Sequence, residues 1–542
     1  MRPPCDEAVI SSANVESPCG PGTRTWVLIA TILGSSMAFI DGTVVNVALP
    51  AIQGSFHGTV VDMQWVVESY GLFLGALILV GGSLSDLFGR RRMFVLGVTI
   101  FAAASCVCGL ASSIHQLIIA RSVQGIGAAL LVPGSLAIIS TSFDEKSRGQ
   151  AIGTWSGFTA ITTAIGPVLG GWLVEHASWR WAFFVNLPLA AAVIAISLWR
   201  IPESRSVTAR RIDWWGAILA TVGLGGLVNG FLESVNLGWR NPLVFGSLIA
   251  GFVCLAAFAL VEARGTSSMV PLTLFKSRIF SGANLLTLFL YAAIGIFFFL
   301  FPMNLIQVRG YSATGAGAAV LPVILLMFLL SRWSGGLVAR YGPRAPLIIG
   351  PLIAASGFVL FAVPSAGVSY WKTFFPAVVV LGFGMAVTVA PLTTVVMTSV
   401  DQDRVGAASG INNAVARIAG VLAIAVLGIV MTSAFSSRLN NRLAQLSLPP
   451  TVMHDLQSGV TRLAGMQLPA GLPSSTRAAV KQSIGEAFVY GFRLVMLICA
   501  GLCVASATVA WLWISLEPSP LTGHSSPGPS KRWGNDLARS SS

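Results

Sequence analysis

Apolar runs about twenty residues long, separated by short charged loops, fill most of this sequence and restrict the fold more than any other feature. Twenty residues of α-helix at 1.5 Å each cross the hydrocarbon of a bilayer. Fourteen such runs are expected to form helices, near 26–49, 63–84, 93–112, 115–139, 150–174, 181–199, 213–232, 242–262, 280–302, 313–338, 346–364, 374–398, 408–432 and 487–514. Only 10% of residues are charged, against about a quarter in soluble domains, so an all-α polytopic membrane protein is expected. The net charge of +13 is carried by loops rather than by one basic face. Arg90–Arg92, Lys146 with Arg148, Arg200 to Arg211, Arg264 to Arg278, and Arg340 with Arg344 fall in alternate loops. This is the pattern of cytoplasmic loops, and it argues against nucleic-acid binding. It places both termini in the cytoplasm of a cell-membrane protein and the loop 433–485 outside. Residues 1–24 lack the apolar core and cleavage site of a removable leader, so the first span is expected to be retained. The tail 515–542, rich in Ser, Pro and Gly, reads as disordered.

The chain repeats itself. Gly125-x-Gly127 recurs as Gly382-x-Gly384 and Gly149-x-x-x-Gly153 as Gly406-x-x-x-Gly410, both at an offset of 257 residues. The loop from Gly82 to Arg91 recurs as Gly335 to Arg344, offset by 253. Two homologous six-helix bundles are therefore expected, 25–200 and 280–514, with an inserted helix pair and linkers at 201–279. Parallel repeats of this kind build transporters whose substrate site lies between the halves.

Within the first span stands Asp41. A carboxylate at that depth costs several kcal/mol unless it is paired, wetted or protonated, which makes it a functional candidate. Counting from the helix ends, Arg121 in the fourth span and Glu68 in the second reach a comparable depth. Enzyme chemistry finds no support. The five histidines (57, 115, 176, 454 and 524) lie in loops, interfaces or tail, and no catalytic or metal-ligand arrangement falls within the spans. The seven cysteines mostly lie inside spans and read as small buried hydrophobes. A nucleotide-driven pump would need a G-x-x-x-x-G-K-[ST] loop, and the sequence has none.

Five motifs in order make the sequence resemble the major facilitator superfamily, specifically its fourteen-spanner drug/proton antiporters (EmrB/QacA-like). They are Ile40-Asp41-Gly42-Thr43-Val44-Val45-Asn46, Gly82-Ser83-Leu84-Ser85-Asp86-Leu87-Phe88-Gly89-Arg90-Arg91-Arg92, Ala120-Arg121-Ser122-Val123-Gln124-Gly125, Gly166-Pro167-Val168-Leu169-Gly170-Gly171, and Trp179-Arg180-Trp181 through Asn186-Leu187-Pro188. There are departures. Thr162 stands where the helix 5 motif usually has a glycine, Ala339 replaces the acid in the second copy of the loop signature, and Val378 stands opposite Arg121. The chemistry is thus concentrated in the N-terminal half.

The resemblance implies export of small hydrophobic or amphiphilic substrates in exchange for protons, with the proton gradient in place of any cofactor and a monomer in the lipid bilayer. Asp41 is then the proton carrier and Arg121 its tuning partner, since burial and a neighbouring arginine act in opposite directions on a carboxyl group. A permanent Asp41–Arg121 pair that only fixes packing is the alternative. Glu68 is either a second acid facing substrate or a residue reaching the outer interface. Gly82, Asp86, Gly89 and Arg90 are implied gating residues, with Asp86 set at the N-terminus of a helix from the other half, where the macrodipole favours an anion. Gly166, Pro167, Gly170 and Gly171 bend helix 5 and let it pack closely. Asn46, Gln124 and Arg417 are candidate cavity residues, and so are the aromatics Trp65, Tyr70, Trp155, Phe158, Tyr291 and Phe298, each of these six with lipid contact or packing as its alternative. Arg332 is expected to reach toward the cytoplasmic face. Nutrient symport on the same fold remains a competing activity.

Overall fold

A computed structural model describes residues 21–514 apart from 144, 206–212, 265–269, 364–368, 401–404, 447, 467 and 469–472. The expected tails, most of 1–24 and all of 515–542, lie outside the described residues, as do the side chains of Lys146, Arg148 and Arg332. Fourteen helices among the described residues are long and apolar enough to cross a membrane: α1 Gly22–Phe56, α2 Val60–Phe88, α3 Arg90–Leu110, α4 Ile114–Ser142, α5 Ala151–His176, α6 Trp181–Arg200, α7 Trp214–Leu237, α8 Pro242–Arg264, α9 Arg278–Val308, α10 Ala313–Ser331, α11 Arg344–Ala362, α12 Tyr370–Thr398, α13 Ala407–Leu443 and α14 Ser474–Trp513. Number and order agree with the apolar runs, and the chain is a multi-pass membrane protein.

Local chemistry sets several of the ends. Thr59 caps α2, accepting from the Asp62 amide while Asp62 accepts from the Thr59 amide at 2.7 Å. Ser113, Asp213, Ser277 and Ser312 start α4, α7, α9 and α10 in the same way. The last turn of α9 winds into a π-turn at Asn304–Val308, just after Pro302.

The two bundles pack by one scheme. In the first, α1 lies against α5 and α6, and α4 against α2 and α3; in the second, α9 lies against α13 and α14, and α12 against α10 and α11. The repeated glycines explain why. A Cβ on Gly125 would lie 2.6 Å from the Tyr70 carbonyl oxygen of α2, and one on Gly382 2.9 Å from Val323 Cα of α10. A Cβ on Gly127 would lie 2.6 Å from Phe101 N of α3, and one on Gly384 2.9 Å from Ala354 Cα of α11. Each pair does the same job in its own half, allowing backbones to touch. Gly127→Ala and Gly384→Ala are each expected to destabilise by about 1–3 kcal/mol through overpacking. Gly246→Ala, whose Cβ would meet nothing within 4 Å, should be neutral. Thermal denaturation of the purified variants, followed by size-exclusion profile, checks this.

The halves meet along two seams, α5 against α10 and α2 against α13. The inserted pair is held together by Gly223, Gly226 and Gly251, and α7 lies along the second seam, where Leu224 joins Leu72 and Ala76 of α2 with Ile418 of α13 alongside.

Most of the described residues of 433–485 are helical, where a loop is expected from the sequence. The helix α13 continues to Leu443, a further helix spans Pro450–Ser458, a 3-10 turn spans Val460–Gly465, and α14 begins at Ser474. Residues 433–443 and 474–486 are too polar for an apolar window to register, yet they extend the helices they adjoin. Leu463 is fully buried at positive φ (50°), and Gln53 of α1 donates to the Arg462 carbonyl at 3.2 Å, so this turn covers one end of the molecule.

Candidate functional site

Asp41, Arg121, Glu68 and Arg417, the ionisable candidates within the spans, separate into three environments. Asp41 and Arg121 are sealed, at 0% and 1% exposure, and form an ion pair through Oδ2 and Nη1. The other carboxylate oxygen, Oδ1, accepts from Gln124 Nε2 at 2.8 Å and from Asn186 Nδ2 at 3.3 Å. Gln124 also accepts from Arg121 at 2.7 Å and donates to Ser105 at 2.7 Å, and Asn186 donates to Ser105 at 3.3 Å. The guanidinium is held further by the Val66 carbonyl, 3.1 Å from Nε, and lies over the Tyr70 ring at 4.4 Å. Tyr70 in turn donates to the Ala38 carbonyl. The site therefore draws on α1, α2, α3, α4 and α6, all of the N-terminal half. Helical geometry explains much of it, since Arg121 and Gln124 stand one turn apart on one face of α4.

Glu68 is also fully buried, but both its carboxylate oxygens lack a hydrogen-bond partner among the described residues. Its helix face is the one turned to α13: one turn before it Gln64 donates to the Ile424 carbonyl at 2.8 Å, and just after it Gly71 meets Val421. Glu68 thus belongs to a seam between halves and does not bond to Asp41 or Arg121. Arg417 of α13 is half-buried and approaches Gly75 of α2 with its Cβ.

The remaining candidates divide. Gln124 sits in the Asp41 cluster. Asn46 bonds back to the Gly42 carbonyl of its own helix, Trp155 donates to Ser35 at 3.1 Å, and Trp65 donates to Glu233 of α7 at 3.3 Å. Phe158 is 51% exposed, and Phe298 packs against Phe297. Tyr291 is half-buried on α9. Asn186 and Ser105 were not singled out as site residues in the sequence; a neutral amide beside a helix start carries little signal there.

The gating candidates occupy two opposite ends. Asp86 pairs with Arg90 at 2.8 Å within its own half, while Glu203 accepts from the Arg91 and Arg92 amides at the start of α3. At the other end the halves touch. Gln307 donates to Gln53 at 2.8 Å, Thr314 donates to Glu175 at 2.6 Å, and a Cβ on Gly171 would lie 2.5 Å from Thr314 Cα. Gly317 of α10 meets the backbone of Pro167, and Gly166 and Gly170 face Thr43 and Val44 of α1. The helix 5 motif therefore contributes its glycines to both the α1 and the α10 contacts.

A membrane-embedded, pseudo-symmetric pair of bundles with buried charge beside the interface has a recognisable match. The sequence profile of the Major Facilitator Superfamily covers residues 31–424. The chain belongs to the Major Facilitator Superfamily. Among its relatives is the multidrug resistance protein Stp of Mycobacterium tuberculosis, 34% identical over 504 residues that cover 91% of this chain and 92% of that one. The tetracenomycin C resistance and export protein of Streptomyces glaucescens is 30% identical, covering 94% and 96%. The puromycin resistance protein of Streptomyces alboniger is 35% identical, covering 79% and 87%. The fold is also that of a bacterial homologue of the lysosomal transporter Spinster, in an inward-facing, unoccupied form, at a TM-score of 0.65, 19% identity and coverage of 92% and 100%. As a member of this superfamily the chain is a secondary-active transporter of small molecules and not an enzyme. Among the described residues no group of His, Cys, Asp and Glu is placed to hold a metal.

Proposed function

We propose that this facilitator exports hydrophobic or amphiphilic molecules from the cell in exchange for protons. The observation that carries the reading is the sealed Asp41–Arg121 pair inside the N-terminal bundle. A charged pair removed from water is costly to keep, and replacing such pairs with apolar residues is often neutral or stabilising. A proton site requires a carboxylate whose charge can be switched, and this pair supplies one. Protonation neutralises Asp41 and removes the attraction that holds Arg121, so binding a proton and opening the cluster favour each other. The named relatives are resistance or export proteins, which supports the outward direction of transport.

In this reading the loop carrying Asp86 faces the cytoplasm, together with both termini, and the end closed by Gln53, Gln307 and Leu463 faces outward. Asp86 would dock on the opposite half when the cytoplasmic end closes. Because Gly171 admits the α10 backbone, Gly171→Ala should disfavour the outwardly closed state. Cross-linking between Gln53→Cys and Gln307→Cys is expected to fall several-fold in that background.

The direct test uses proteoliposomes with an imposed pH gradient and a panel of cationic, neutral and anionic drugs. Uphill, gradient-dependent substrate movement accompanied by counter-flow of protons is expected, and a protonophore should abolish it. Transport that ignores the gradient, or that needs ATP, would overturn the reading.

A further inference from the structure

In the export reading the halves enclose a cavity, and at their interface stands one charge that the proton site does not use. Arg417 lies on α13, three residues before the glycine that touches Gly295 of α9, and its Cβ is 3.5 Å from a Cβ built on Gly75 of α2. Its neighbour Ile418 faces the inserted helix α7, packing on the Leu72–Ala76–Leu224 cluster. The helical turn of about 100° per residue carries Arg417 away from that side, and because α9 runs beside α13 in the same direction, with Asn412 bonded to Asn284 and Gly420 against Gly295, Tyr291 of α9 stands level with it. Among the described residues, Arg417 has no salt bridge and no hydrogen bond. It is half-buried, so a small molecule in the cavity can reach it.

The nearby acids are otherwise engaged or sealed off. Asp41 is saturated by Arg121, Gln124 and Asn186, and its partner Arg121 is satisfied as well. Glu68 stands two helical turns from Gly75, fully buried in the seam. Glu233 of α7 accepts from Trp65 and Asn236. Among the described residues this part of the interface therefore presents a single positive charge with one phenol ring, that of Tyr291, level with it. A buried cation without a counter-ion is costly, and a ligand that supplies the missing negative charge recovers that cost on binding.

We propose that Arg417 binds the anionic end of the substrate, with Tyr291 against its apolar body, so that the preferred cargo is an amphiphilic anion such as an aromatic carboxylate. The proposal rests on the export reading for the identity of the cavity, and it goes further in naming the cargo's charge. An arginine presents a planar donor fork that matches a carboxylate, and the Tyr291 ring supplies an apolar face for the remainder of the molecule.

The test compares three probes with one aromatic body: 1-pyrenebutyrate, 1-pyrenebutanol and 1-pyrenebutylamine. Each is titrated by fluorescence against purified protein in nanodiscs with no pH gradient. The wild type is expected to bind the butyrate tightest. Arg417→Gln should weaken the butyrate about ten- to hundred-fold, the range for a charge-assisted hydrogen bond, and leave the butanol within about two-fold. Arg417→Lys should restore part of the butyrate affinity. If the amine binds best, if the wild type shows no preference, or if Arg417→Gln weakens all three probes equally, the proposal is wrong. Should Arg417→Gln fail to fold, the wild-type preference alone decides. Because binding is read without a gradient, a failure of proton exchange in the liposome assay leaves this result standing, and the reverse also holds.

Discussion

Asp41→Asn is expected to abolish gradient-driven accumulation while leaving the protein folded and able to exchange substrate passively. The asparagine keeps a side-chain oxygen for Gln124 and Asn186 and fits the same volume, but it neither carries charge nor takes up a proton. In proteoliposomes, substrate addition should release protons from the wild type and none from the variant, and uphill transport should fall to the leak rate. Substrate counterflow at equal pH should persist, because alternation between faces does not then require deprotonation. A variant that still drives uphill, gradient-coupled transport would remove Asp41 from the mechanism. Equal loss of counterflow and coupled transport would instead favour a purely structural pair.

The second large effect is expected at Arg121. Removing the guanidinium in Arg121→Ala leaves Asp41 sealed without its counter-charge, and it also deprives the Val66 carbonyl and Gln124 of their donor. Breaking a buried pair in this way costs about 3–5 kcal/mol, a large share of the stability of most folds. Thermal denaturation in detergent should show a marked drop for Arg121→Ala, and adding Asp41→Asn should recover much of it because the stranded charge is gone. If the two substitutions prove additive, the pair is not energetically coupled and the proposed link between protonation and opening loses its basis.

Much of this architecture is legible in the sequence for a physical reason. The bilayer demands about twenty apolar residues per crossing, so each helix announces itself, and close backbone contacts demand glycines that recur at a fixed offset. Asp41 and Arg121 stand out because charge is rare in such surroundings. Gln124, read from the sequence as a cavity residue, instead joins the pair, because it stands one turn from Arg121 on the same face of α4. The neutral partners Asn186 and Ser105 do not stand out, since nothing in their type or position separates them from ordinary helix-start and packing residues. The described helical turns of 433–485 are illegible for a related reason: they are too polar to carry the apolar signal that marks the other helices.

The inserted pair α7–α8 gives the molecule a sided relationship with the lipid around it. One flank is walled off where α7 covers the α2–α13 join, while along α5 and α10 no further helix is laid outside the join among the described residues. A greasy solute dissolved in the leaflet thus meets a barrier on one approach and only the helix 5 glycine contacts on the other. Any sideways entrance for cargo arriving from the membrane is confined to that second flank.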